Sequence, residues 1–183
     1  MAAESKPGDL NSKLIRFELP GIDGKLHSSG EYDKHEVLVI IFMCNHCPYV
    51  KAVMSRLVNL QKDLGVSGVC LVGINPNDDS AYPEDSFEKM KDFSNEYEMN
   101  FPYLRDDSQA VAKAYEAVCT PDIYVYDKSR HLRYRGRIDD NWKEENLVTT
   151  HDLRNAIESI LERREIPSQQ IHSIGCSIKW KQS

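Results

Sequence analysis

"EVLVIIFMCNHCPYVKAVMSRLVNLQKDLG", Glu36 to Gly65, joins a continuous apolar run to a helical pattern, with two cysteines at the junction. Val37 to Phe42 carries no polar residue and is rich in β-branched side chains. A strand buried on both faces reads this way. Beyond the cysteines, Val50, Val53, Met54, Leu57, Leu60 and Leu64 recur at spacings that mark one face of a helix ending at Gly65. Pro48 suits the first turn of that helix, where its missing N–H costs nothing. Cys44 therefore falls at the end of a central strand and Cys47 in the first turn of an amphipathic helix.

That placement has chemical consequences. The first turn of a helix presents unpaired N–H groups and a partial positive charge. A thiolate there is stabilised, so its pKa drops below the free value of about 8.5. The expectation is that Cys44 is the more acidic thiol and the nucleophile, with Cys47 deeper and acting as the resolving thiol. His46, when protonated, would stabilise the Cys44 thiolate further and make the disulfide more oxidising. The alternative for His46 is an exposed helix-start residue with no redox role. A metal reading also draws on these residues, since Cys44, His46, Cys47 and Cys119 are the donors zinc favours. Structural zinc sites generally use two cysteine knuckles, however, and only one Cys-x-x-Cys pair is present. The site is accordingly expected to hold no metal.

Outward from this junction, "LIRFELPGIDGKLHS" reads as a hairpin turning near Asp23 and Gly24. "GVCLVGIN" is a second buried strand. Phe87, Met90, Phe93 and Tyr97 have helical spacing, and "SQAVAKAYEAV" reads as a short helix. "DIYVYD" and "HLRYRGR" are two strands joined by a turn too short for a parallel crossover, so the sheet should be mixed. Leu153, Ile157, Ile160 and Leu161 share the face of a last helix that Pro167 stops. Residues 1–12 are polar and read as a loose arm. The expected organisation is this arm, one α/β domain over 13–166, and a C-terminal tail over 167–183.

The bulk properties narrow the function. The chain has 183 residues, 28% of them charged, and a net charge of -6. An acidic surface argues against nucleic-acid binding. The longest apolar run is far too short to span a bilayer, so no membrane is expected. Five cysteines do not make a paired disulfide framework. They suit a reducing compartment, read here as the cytoplasm, where a Cys-x-x-Cys pair tends to be catalytic or metal-binding. Cys70, in the middle of a strand, reads as plain core.

A second motif, "AVCTPDIYVYD", places Thr120–Pro121 immediately before a strand. A strand, a Cys-x-x-Cys pair opening a helix, and a later Thr-Pro before a strand together resemble a thioredoxin-fold oxidoreductase. "FELPGIDGKLHS", the helical segment near residues 85–99 and "FPYLRDDSQAVAKAYEAVCTPDIYVYD" further resemble the redoxin branch, which contains the AhpC/TSA and TlpA-like proteins. The resemblance spans roughly residues 14–165, carried by motif order. It implies a three-layer α/β sandwich with a mixed sheet, an N-terminal hairpin and a helical insertion. It also implies a cis Thr120–Pro121 bond against the cysteine pair, with the backbone there able to pair with an extended substrate. Cys119 would then lie near the pair, as a third redox thiol, a metal ligand or a small buried residue.

Two departures stand out. The Thr/Ser three residues before a peroxidatic cysteine is absent, Ile41 standing before Cys44. The buried acid that thioredoxins place six residues before the first cysteine is replaced by Leu38, leaving Glu36, a histidine or water to move a proton for Cys47. The function expected is a thiol–disulfide oxidoreductase using Cys44 and Cys47, without a bound cofactor. Its partners would be a protein or small-molecule disulfide and a reductase. A thiol peroxidase is the alternative, and a metal-binding or protein-interaction module a more remote one. "RGRIDDNW", 135–142, could line the site or form a solvated turn, and Cys176 is expected to be a bystander.

Overall fold

A computed structural model describes residues 2–167 and 169–182. Ten strands and four α-helices follow one another along these residues. The strands are β1 (Ala2–Glu4), β2 (Glu18–Pro20), β3 (Leu26–Ser28), β4 (Val37–Phe42) and β5 (Val69–Asn75), then β6 (Tyr103–Arg105), β7 (Cys119–Thr120), β8 (Asp122–Tyr126), β9 (Leu132–Arg135) and β10 (Ile174–Ser177). The helices are α1 (Pro48–Leu64), α2 (Phe87–Glu96), α3 (Ala110–Ala114) and α4 (Asp152–Leu161). The central sheet has the order β6-β5-β4-β8-β9. β4 and β5 are parallel, β5 and β6 are parallel, and β8 runs antiparallel to both β4 and β9. The sheet is mixed, as the short β8–β9 turn requires.

The alternation within β4 explains its unbroken apolar sequence. Val37, Val39 and Ile41 face a core completed by Val50, Val53, Met54 and Leu57 of α1, by Met90 and Phe93 of α2, and by Leu153 and Ile157 of α4. Leu38, Ile40 and Phe42 face a second core with Phe17, Leu19, Tyr115 and Tyr124. Every residue of β4 is fully buried. Successive strand side chains point to opposite faces, so burial on both sides demands an apolar residue at each position. This pins the C-terminal end of β4, and the cysteines after it, at the centre of the molecule.

The two chain ends differ from expectation. The segment expected to be a loose arm contributes β1, antiparallel to β10. Below it, the Ser5 N–H donates to the Ser173 carbonyl at 2.9 Å. The tail pairs in turn with β7, Cys176 opposite Thr120 and Ser177 opposite Cys119. Neither end has a long apolar period, so the strands are too short to announce themselves in sequence. They exist because β7 offers an otherwise unpaired edge. Gly175 makes the close approach possible: a Cβ there would stand 2.1 Å from the Thr120 carbonyl oxygen. Among the described residues no helix is long and apolar enough to cross a membrane.

Candidate active site

The N-cap of α1 is Cys47, with Pro48 at the first helical position. The helix N-terminus thus meets Cys47, while Cys44, the thiol expected to benefit from it, stands three residues before the cap. Cys44 sits in the connection after β4. Both sulfurs are buried, and Thr120 lies against both. Cys44 Sγ is 3.3 Å from Thr120 Oγ1, and the Cys47 thiol donates to the Thr120 carbonyl at 3.1 Å. The Thr120–Pro121 peptide is cis.

This geometry reverses the expected acidity. The neighbouring Cys44 thiol is the largest influence favouring a Cys47 thiolate, with Cys176, the Thr120 side chain and the Val50 backbone adding to it. Burial and the Thr120 carbonyl favour the protonated form but are outweighed, and the pKa falls to about 5. Cys44 is held well above the ordinary thiol range because its proton is shared with Cys47, because it is buried, and because Asp85 places negative charge nearby. Two thiols in contact cannot both ionise easily, and the charge settles where the helix N-terminus supports it.

His46 does not bond either sulfur. Its Nδ1 donates to Asp85 Oδ2 at 2.6 Å, and its ring stacks on Tyr82 with centroids 5.4 Å apart. Asp85, just before α2, also accepts from the Asn45 N–H at 2.8 Å, the His46 N–H at 3.2 Å and Asn77 Nδ2 at 2.7 Å. It is fully buried. Asp85 was not a candidate from sequence, where an acid beside Pro83 and Ser86 looks like ordinary helix-start chemistry. The available signal was topological. Asp85 lies in the connection after β5, whose C-terminal end adjoins that of β4, and such crevices gather functional groups. Glu36, a candidate for the missing buried acid, lies at the other end of β4 and pairs with Lys128 at 3.2 Å.

Cys44, His46 and Asp85 bring one donor atom each to within 4.8 Å of one another, the one such group among the described residues. A cation held there would have to replace the short His46–Asp85 hydrogen bond, so the donors already satisfy each other. Cys119 takes no part in the sulfur cluster: its thiol donates to the Pro121 carbonyl at 3.6 Å, and burial pushes its pKa up. Cys70 is buried, which pushes it up to about 11.

Cys176 was expected to be a bystander. It instead packs against the core that holds the cysteine pair, opposite Thr120, and burial followed by the neighbouring Cys47 raises its pKa to about 11. "RGRIDDNW" does line the surroundings. Ile138, Asp139 and Trp142, with Tyr49 and Pro121, enclose a cavity of about 110 Å³. Trp142 packs on Tyr49 with ring centroids 4.1 Å apart. Arg56 of α1 anchors this loop by pairing with buried Asp139 and by bonding the Asn141 and Trp142 carbonyls.

Comparison with known proteins completes the description. A family model described as the AhpC/TSA family matches residues 10–135. An uncharacterized conserved protein from Geobacillus kaustophilus is 44% identical, with a TM-score of 0.94 over 100% of this chain and 98% of that one. A hypothetical protein from Sinorhizobium meliloti 1021 is 37% identical, with a TM-score of 0.93 over 98% and 99%. The thioredoxin domain of a thiol-disulfide oxidoreductase from Bacteroides vulgatus is 14% identical, with a TM-score of 0.66 over 83% and 97%. That likeness shows the fold, which is thioredoxin-like. No curated protein matches the chain.

Proposed function

The chain belongs to the AhpC/TSA family, and we propose that within it this protein is a thiol–disulfide oxidoreductase working through Cys44 and Cys47. The observation that carries the reading is the meeting of both sulfurs with Thr120 at the N-terminus of α1. In the reduced protein Cys47 holds the thiolate and Cys44 the shared proton. Exchange with a disulfide RS–SR converts the two cysteines into a Cys44–Cys47 disulfide and releases two RS groups as thiols. The substrate is a protein or small-molecule disulfide, and a partner reductase returns the pair to its dithiol form. A reducing compartment such as the cytoplasm suits this cycle and the other free cysteines.

The test is equilibration of the reduced protein in glutathione redox buffers, with thiolate absorbance followed against pH. The expected result is one disulfide between Cys44 and Cys47, absent from C44S and C47S. The first thiolate should appear as pH rises through about 5, while Cys44 stays protonated beyond the ordinary thiol range. The proposal fails if no such disulfide forms. Family membership also favours a peroxidase, although Ile41 stands where a peroxidatic site needs Thr or Ser. A rate with hydrogen peroxide no greater than that of a free thiolate excludes it.

A further inference from the structure

Of the five cysteines, all among the described residues, four are buried and Cys176 alone is half-buried. The pair proposed above as redox-active has no exposed sulfur. An extended substrate would approach such a site by adding a strand beside Thr120, but β10 already occupies that edge, with Cys176 opposite Thr120. The tail is also tied on both sides of Cys176. Before it, Ser173 Oγ donates to the Gly136 carbonyl at 2.7 Å and the Ser173 N–H to Ser5 Oγ at 2.9 Å. After it, the Ile178 N–H donates to the Val118 carbonyl at 3.1 Å, the Lys179 N–H to Asn77 Oδ1 at 2.9 Å and the Lys181 N–H to Gln109 Oε1 at 2.9 Å. A strand held this way is part of the site, and a disulfide arriving from solvent meets Cys176 first.

We propose that Cys176 is a third catalytic thiol, which carries disulfide exchange between external partners and the buried Cys44–Cys47 pair. The inference rests on the oxidoreductase reading. Cys176 attacks RS–SR, its proton leaves with the first RS group as RSH, and a Cys176–SR mixed disulfide remains. The Cys47 thiolate attacks Cys176 Sγ, forming Cys47–Cys176 and expelling the second RS group as a thiolate. Cys44 then attacks Cys47 Sγ and gives its proton to the departing Cys176. The products are a Cys44–Cys47 disulfide, one RSH, one RS⁻ and a regenerated Cys176 thiol, so two electrons pass from the buried pair to the external disulfide. Cys176 undergoes no net change. Cys176 stands opposite Thr120, whose carbonyl accepts from the Cys47 thiol, and packs against the core that holds both cysteines, so the second step runs across this shared Thr120 contact.

The reaction leaves separable products. Trypsin releases Cys44 and Cys47 together on peptide 35–51 and Cys176 on peptide 165–179. The reduced full-length protein is exposed to oxidised glutathione, quenched with an alkylating agent, digested and weighed by mass spectrometry. C47S should accumulate glutathione on 165–179; glutathione on 35–51 instead would overturn the proposal. C44S should trap a disulfide joining the two peptides; its absence would overturn it as well. C176S replaces a partly exposed side chain by a near-isostere, and should form the Cys44–Cys47 disulfide roughly tenfold more slowly or worse, since access limits exchange. An unchanged rate sinks the relay while leaving the oxidoreductase intact. Failure of the unsubstituted protein to form any disulfide within 35–51 sinks the oxidoreductase reading itself.

Discussion

Asp85 and Asp122 are both fully buried and both lie near a cysteine, yet they are balanced by different means. Asp85 is held by donors from four groups: two backbone N–H groups, the Asn77 amide and the His46 ring. Asp122 is held by a whole cation. Its Oδ2 meets Arg135 Nη2 at 2.9 Å and its Oδ1 meets Arg135 Nε at 3.3 Å. The guanidinium in turn lies over the Tyr124 ring at 4.5 Å and donates to the Glu116 carbonyl at 3.0 Å. A charge cancelled by its partner exerts little influence further off. A charge shared among several donors still acts on its neighbours, and Asp85 helps keep Cys44 protonated. The Asp122–Arg135 pair ties β8 to β9, whereas Asp85 acts on the thiols.

The comparison breaks most visibly at Asp122. Asp122→Ala leaves Arg135 buried and unpaired, and should cost about 3–5 kcal/mol in urea unfolding. The low titration of Cys47 should survive in whatever protein remains folded; if it moves, Asp122 also tunes the site. Asp85→Ala should cost less, about 1–3 kcal/mol, because it orphans hydrogen-bond donors and no buried guanidinium. It should also lower the pKa of Cys44, since a negative charge beside that thiol is removed. A larger loss of stability than in Asp122→Ala would mean that Asp85 is the structural member of the two. His46→Ala removes one of four donors from Asp85 and should cost only about 0.5–1.5 kcal/mol. If His46→Ala shifts Cys44 more than Asp85→Ala does, the ring acts on the sulfur directly and the division drawn here is wrong.

His46 shows why the site was only partly legible in sequence. Its neighbourhood in the chain suggested a helper for the Cys44 thiolate. Its actual partner, Asp85, is thirty-nine residues away and carries no local mark beyond a helix-start pattern. Cys47 shows the same limit on a finer scale. The sequence locates the strand-to-helix junction to within a turn. Which of two cysteines three residues apart the helix N-terminus supports depends on the local backbone path, and the acidity of the pair follows from it. Cys176 was least legible, because a four-residue strand in a polar tail has no period to read.

The sequence by itself determined the elements with strong periodicity and their order: the doubly buried β4, the amphipathic α1, the mixed sheet, and a dithiol at the strand–helix junction; the Thr-Pro wall opposite it came from the family resemblance. Burial on two faces or one stripe leaves a local pattern, and local patterns can be read without coordinates. The tertiary structure alone decided which thiol carries the charge, which acid stands beside it, and what covers the Thr120 edge. Each of these depends on groups far apart in the chain meeting at a few ångströms, where hydrogen bonds and desolvation act and where no spacing rule reaches.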